Sequence, residues 1–524
     1  MWTLARPRLR QAGVVATLVL SALLTLTAWA ISSPPGSSAD EGFHMTSIWC
    51  PAAIDACDRQ VYEDHSWSIL VPKDVVYAST CLRGNVYESG ACVQEMSSDL
   101  IRAMRPVRND GLYPDGFYRT MGLFTGDDTT RSVFAMRIVN SVAAISLFGA
   151  AAAMLSRPNR RVLIYGGLVV SIPQAIYLIA SINPSGWSVT GVAVAFIGLH
   201  GWFTETFDAS GSQQVQRWRD LNGRQIGLAV LSLVGATMAA SSRGDAGMFV
   251  VLAAGVLLVL HSEQVREWWW FALPALVASA IGMISFFTSG QGTAALGSMD
   301  ERPPGDFHHL FANLFDFPGF LMNAQVGPLG WNDLSVPAIS AIPPLVFATA
   351  VAFTGLRVIT WRKTLALSGL IAASVAIPLI VFQRSGWHPG ELAGRYWTPL
   401  LAVIVMTALW NPVRRSAPKL KVPQSVAVWL SLSIGNAAML YRQIRRYTTG
   451  LGYRGISLNE FVEWWPARVS PNATFLLGSL GFSTLVGLAF WLAGRPDSPD
   501  LATDGTATAL AVHPPERRLR AGAK

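Results

Sequence analysis

Residues 33–50 read SPPGSSADEGFHMTSIWC and stand directly after the first apolar run of the chain. That run, 14–31, has the length needed to cross a hydrocarbon core. Arg6, Arg8 and Arg10 precede it and predict a cytoplasmic N-terminus. Read as a retained helix, the run places residues 33–50 where the chain leaves the bilayer, and cleavage after Ala30 would leave Asp40 outside as well. An adjacent acidic pair, Asp40 and Glu41, with His44 three residues on, therefore lies at the membrane boundary. A carboxylate there can hold a metal ion or take a proton from a membrane-anchored substrate.

The composition agrees. With 51% hydrophobic and 14% charged residues over 524 positions, and a positive mean hydropathy, the chain is excluded from the soluble globular class. An all-α polytopic membrane protein is expected. The net charge of +8 does not point to nucleic acid, because the basic residues gather in short loops between apolar runs. All four cysteines, Cys50, Cys57, Cys81 and Cys92, lie in one polar segment, 32–131, the largest expected external loop. An oxidising compartment favours disulfides. Of the three pairings four cysteines allow, we take the short-loop choice, Cys50 with Cys57 and Cys81 with Cys92. Zinc is the competing use, but the CxxC spacing of structural sites is missing.

Further runs at 132–156, 162–180, 189–204, 226–240, 248–260, 269–287, 338–356, 365–382, 396–410, 426–441 and 475–493 bring the expected count to about twelve helices. The run 248–260 is short enough to be tilted, re-entrant or interfacial. Basic clusters such as Arg157, Arg160 and Arg161, or Arg414, Arg415, Lys419 and Lys421, mark cytoplasmic loops and leave 288–337, 383–395 and 442–473 outside with 32–131. One transmembrane domain, 1–494, is followed by a basic tail, 495–524, expected to be cytoplasmic and disordered.

Adjacent carboxylates point in different directions, so Asp40 and Glu41 are not a face-to-face acid pair. Asp40 suits a general base or metal ligand, with Glu41 or His44 orienting it; the competing reading is a helix N-cap, with Glu41 favoured by the helix dipole. YPDGFY (113–118) offers Tyr113, Asp115 and Tyr118, which also suit an aromatic belt and a turn. In GWNDLSVP (330–337), Trp331 could stack on a sugar and Asp333 could take an ion or a sugar hydroxyl; a capped helix with an interfacial Trp fits equally. His388 opens HPGELAGRYW, in which Arg395 runs against the positive-inside trend. Its guanidinium fork suits a lipid-linked phosphate, unless it only snorkels to headgroups. Arg442, Arg445 and Arg446 are crowded enough for a headgroup-binding surface. There is no Walker motif, no Gly-rich nucleotide fingerprint and no HExxH, so no nucleotide cofactor is expected.

Taken in order, Pro34-Pro35-Gly36 with Asp40, Glu41 and His44, then YPDGFY, SINPSG (181–186), GWNDLSVP and GRYWTPLL (394–401) form a series. It resembles a bacterial, largely actinobacterial, family of multi-span membrane proteins catalogued as a domain of unknown function, which in turn looks like the GT-C glycosyltransferases. The likeness covers most of residues 1–410. It implies a plasma-membrane enzyme that moves a sugar from a polyprenyl-phosphate donor to an envelope glycan, lipid or protein on the external side, with inversion; the Ala, Arg and Gly richness, which fits a high-GC actinobacterium, makes arabinofuranose or mannose the expected sugar. By this resemblance Asp40 is the catalytic or metal-binding acid, with Mg or Mn as the cation if one is used, and Arg395 a donor-phosphate ligand. YPDGFY departs from the pattern at Asp115, where a second proline is expected, and GWNDLSVP at Asn332, where an apolar residue is commoner. The rival readings are a flippase or transporter of a lipid-linked glycan, which predicts ionisable residues at mid-membrane, and a non-catalytic assembly factor.

Overall fold

The computed structural model describes residues 2–50, 58–63, 67–103, 112–206, 217–292, 302–411, 417 and 419–495. Cys57 and the expected disordered tail from 496 lie outside them.

The protein is mostly helical, as expected, but not wholly so. Within the 32–131 segment, β1 (Arg59–Val61), β2 (Trp67–Pro72) and β3 (Leu100–Ala103) form an antiparallel sheet in the order β1-β2-β3. Ile69 stands opposite Arg59 on one side and Ala103 on the other. Cys81 and Cys92 are joined by a disulfide, as the short-loop pairing predicts. Cys50 is disulfide-bonded too.

Among the described residues, eight helices are long and apolar enough to cross a membrane: Gln11–Ile31, Thr129–Met154, Pro184–Thr204, Gly223–Ala240, Trp269–Thr288, Ala338–Gly355, Trp361–Ser385 and Pro471–Gly494. A ninth results if Arg157–Val169 and Pro173–Ile179, bent by 97°, are one broken span. Pro173 lacks the N–H a continuous helix would need there, so the break falls just before it. The expected count of about twelve is not reached on these criteria. The expected spans 248–260 and 396–410 belong to the shorter apolar helices Gly244–Leu260 and Gly394–Leu409. The 426–441 run belongs to Val422–Thr448, which ends in a polar turn containing Arg442, Gln443, Arg445 and Arg446. The expected loop 288–337 contains a helix, Phe307–Val326, whose His, Asn, Asp and Gln residues hide it from a hydropathy reading.

The centre of the bundle is Pro184–Thr204, with 94% of its apolar window buried. Small residues let Gly223–Ala240 press against it. A Cβ added at Gly191 would stand 2.6 Å from the Gly235 carbonyl oxygen, and one at Gly235 would stand 2.6 Å from the Ala195 nitrogen. Such backbone contact is how helices associate where apolar burial alone gives no preference. By contrast, Gln11–Ile31 and Pro471–Gly494 are only 28% buried over their windows, which leaves most of their apolar surface for lipid.

Candidate functional site

After the first helix the polar chain turns into the protein. Ser32, Ser33, Ser37, Ser38 and Glu41 are all fully buried. Gly36 makes the turn possible, with φ at +76° and a position where a Cβ would lie 2.7 Å from the Ala78 side chain.

A buried polar loop is stable only when its backbone groups are paired. Here side chains from distant segments do the pairing. Arg137 Nη1 donates to the carbonyls of Ala30 and Ser33, both at 2.7 Å, and its Nη2 donates to Pro34 at 2.9 Å. Trp331 Nε1 donates to the Gly36 carbonyl at 2.9 Å, and the Tyr447 hydroxyl to that of Ser37 at 3.2 Å. Asn183 Nδ2 donates to the Ala39 carbonyl at 2.6 Å while its Oδ1 accepts from the Ser185 nitrogen at the start of the central helix. The Ser33 and Ser37 hydroxyls both reach the Tyr177 hydroxyl.

Glu41 is the inner anchor. Arg137 donates to its two carboxylate oxygens at 3.1 and 2.7 Å, and the backbone nitrogens of Ile182 and Ser38 add bonds at 3.0 and 3.2 Å. Both side chains of the pair are 0% exposed. The expected catalytic partner of Asp40 is therefore enclosed, with its lone pairs committed to the fold.

Asp40 faces the other way. It occupies the N-cap position of Glu41–Trp49 in the left-handed region, φ 58°, but its side chain makes no capping bond. The N-cap reading is corrected on that point. Instead Arg395 Nη2 donates to Asp40 Oδ2 at 2.7 Å. The Asp40 side chain is 39% exposed, whereas that of Arg395 is 5% exposed. Arg395 also reaches Asn332 Oδ1 at 3.3 Å and lies 5.0 Å over the Tyr396 ring. Burial acts to lower the Arg395 pKa, but Tyr396 and Asp40 outweigh it and raise the value, so the cation is permanent. Arg243 lies 3.9 Å from the Tyr396 ring centre and 5.7 Å from that of Tyr113, held by a two-bond fork to Asp245. Tyr113 packs edge-on against His44, whose Nδ1 bonds the Tyr118 hydroxyl at 2.9 Å.

The five sequence motifs thus meet around one loop. GWNDLSVP contributes through its turn: Leu329 and Leu334 exchange backbone hydrogen bonds, Gly330 and Asn332 take positive φ, and Asp333 Oδ1 accepts from the Trp331 nitrogen. Trp331 is thereby aimed at the loop and Asn332 at Arg395. Asp333 closes the turn and lies 3.7 Å from Arg446, with its side chain 10% exposed, so the expected sugar or ion ligand is enclosed as well.

Other expected site residues lie elsewhere. Asp115 pairs with Arg119 one turn along its own helix. His388 bonds Asn313 and packs edge-on against His309, while its backbone nitrogen donates to Glu391. The expected headgroup surface of Arg442, Arg445 and Arg446 needs correction. Arg446 is buried and donates to the carbonyls of Leu82, Asn85 and Glu88, holding the disulfide-closed 81–92 loop. Arg445 is buried against the carbonyls of Gly455 and Ser457. Of the three, Arg442 alone is half-exposed.

Arg137, Tyr177, Arg243 and Tyr447 lie outside the sequence motifs, and Asn183 and Tyr396 lie within them without an assigned role. One signal was available for Arg137: an arginine eight residues into an apolar helix is expensive unless paired. Among the described residues no three His, Cys, Asp or Glu side chains cluster in a way that could hold a metal ion. Asp40 offers one carboxylate, already facing a guanidinium, so a divalent cation there would take its remaining ligands from substrate phosphate and water.

Apolar helices of spanning length, packed around a buried polar loop that ends in a half-exposed ion pair, define a multi-pass membrane protein. Residues 23–404 match the family described as a predicted membrane protein (DUF2142), and the chain belongs to that family. No curated protein and no solved structure matches the chain.

Proposed function

We propose that this protein is a membrane glycosyltransferase of GT-C type, transferring a sugar from a polyprenyl-phosphate donor to an envelope acceptor on the external face of a bacterial plasma membrane. The observation that carries the reading is the Asp40–Arg395 pair, one member half-exposed and the other buried. Asp40 takes the proton from the acceptor hydroxyl as its oxygen attacks the anomeric carbon. The bond from that carbon to the phosphate oxygen breaks, and the phosphate leaves with the electron pair, stabilised by Arg395. Attack and departure on opposite faces give inversion. The pairing before reaction fits this order: an arriving donor phosphate competes for the guanidinium, and a carboxylate that loses its counter-charge becomes a stronger base. Glu41 and Arg137 act as positioning residues, and no metal-dependent step is assigned.

Incubating membranes with a panel of radiolabelled polyprenyl-phosphate sugars tests this. Label entering an envelope acceptor with the wild type but not with Asp40→Ala supports the reading and names the donor. Equal transfer by the variant removes Asp40 from the mechanism.

A second reading is movement of a lipid-linked glycan across the membrane, favoured by the broken pair Arg157–Val169 and Pro173–Ile179, since interrupted helices recur in transporters. Absence of transfer with every donor, together with glycolipid translocation in proteoliposomes, would favour it.

A further inference from the structure

At the C-terminal end of Val422–Thr448 lies an open pocket of about 450 Å³, lined in part by Tyr87, Tyr441, Arg442, Arg445, Tyr453 and Arg454. Three of the lining residues are arginines and none is acidic. Arg445 forms a fixed wall, tied to two carbonyls and to the Tyr441 hydroxyl and lying 5.2 Å over the Tyr453 ring. Arg442 is less committed. Its Nη2 reaches Ser335 Oγ only at 3.5 Å, and its Nε is buried without a hydrogen-bond partner. Arg454 is exposed. Glu460 accepts a hydrogen bond from the Tyr453 hydroxyl at 2.9 Å. Concave surfaces with an excess of one charge concentrate ions of the other, and guanidinium forks match phosphate oxygens.

The surroundings indicate what carries the anion. Tyr441 packs 5.7 Å from Phe475, four residues inside the candidate span Pro471–Gly494. The neighbouring loop displays Ile456 and Phe461, 88% and 75% exposed. Tyr441 donates to the Ile456 carbonyl, and Tyr453 packs on Phe461. Exposed apolar side chains, tyrosines and arginines at the end of a spanning helix are the composition of the headgroup layer.

We infer that this pocket binds the phosphate of a membrane lipid, through Arg442 and Arg454 with Arg445 as the fixed wall. The phosphate ester could belong to an anionic phospholipid or to a polyprenyl carrier. The inference does not depend on glycosyl transfer.

The test is lipid retention by the full-length chain, purified in detergent, mixed with phosphatidylglycerol, undecaprenyl phosphate or phosphatidylcholine, and read by native mass spectrometry. The wild type should retain an anionic phosphate lipid over phosphatidylcholine, and Arg442→Gln/Arg454→Gln should weaken retention by at least about tenfold. Preference for undecaprenyl phosphate makes the carrier the source; equal retention of the two anionic lipids makes it the headgroup. Arg454→Gln alone, on an exposed side chain, should give a smaller loss and carries the test if the double variant does not fold. Equal retention by wild type and variants, or no preference over phosphatidylcholine, would overturn the assignment. Because no sugar is transferred in this assay, failed glycosyl transfer with intact lipid retention would count against the proposed function alone.

Discussion

Arg137 and Glu41 meet through two hydrogen bonds, at 2.7 and 3.1 Å, with neither side chain reaching solvent. The same guanidinium holds the carbonyls of Ala30, Ser33 and Pro34, so one residue fixes both the end of the first helix and the loop that presents Asp40. Removing one member leaves the other buried and uncompensated, which costs about 3–5 kcal/mol. Arg137→Met should therefore lower the thermal midpoint of the purified protein in detergent far more than Arg131→Met, whose side chain is 88% exposed. Equal midpoints for the two variants would show that the buried pair does not hold the loop.

The backbone of Asp40 gives a second expectation. A left-handed conformation costs an ordinary L-residue about 1–2 kcal/mol, and glycine escapes it. Asp40→Gly and Asp40→Ala remove the same carboxylate from Arg395, so that loss cancels between them. The glycine variant should be the more stable by about 1 kcal/mol, and both should lack transfer activity. Denaturation of the two side by side decides it; an alanine variant as stable as the glycine variant would mean that the loop is not held at this φ.

Gly36 is strained against substitution twice, by its φ of +76° and by the approach of Ala78 to 2.7 Å of a would-be Cβ. Gly36→Ala should destabilise by more than the ~1 kcal/mol of backbone strain alone. It should also disturb the bond from Trp331 to the Gly36 carbonyl, read as a change in tryptophan emission. Gly84→Ala is the control, since it shares the positive φ but has open space around it, and only the strain term should appear.

The disulfide and Arg446 act on one loop. Cys81 and Cys92 are 11 residues apart, and Arg446 fills the space they enclose by holding three carbonyls between them. Cys81→Ser/Cys92→Ser should cost about 2–3 kcal/mol by the chain-entropy argument. Mild reduction should lower the wild-type midpoint by more than that of the double variant, which keeps only the disulfide at Cys50. A wild-type midpoint insensitive to reductant would show that Arg446 alone holds the loop.

Much of the site was legible in the chain. Each of the five motifs carries at least one residue that touches the 33–50 stretch, its neighbours or Arg395, because polar and turn-forming residues stand out between apolar runs. The direction of each side chain was not legible. Asp40 and Glu41 are neighbours in sequence, yet one is half-exposed and the other enclosed, which depends on a left-handed residue at Asp40 that composition does not reveal. Arg445 and Arg446 read as a surface in the sequence because a run of arginines at a helix end gives no sign of which carbonyls lie within reach. The count of about twelve spans is not confirmed, for a related reason. Hydropathy registers how apolar a segment is, and Gly244–Leu260 and Gly394–Leu409 are apolar enough but fall below spanning length.

In the proposed function the Asp40 carboxylate is the proton acceptor in sugar transfer. The most direct measurement is the rate of transfer from a polyprenyl-phosphate sugar by purified protein, comparing the wild type with Asp40→Asn, which keeps the size of the side chain and removes its charge. Loss of a general base lowers such rates by about 10²–10⁴, and that range is the predicted result, with lipid retention preserved. Transfer by Asp40→Asn at the wild-type rate would contradict the account.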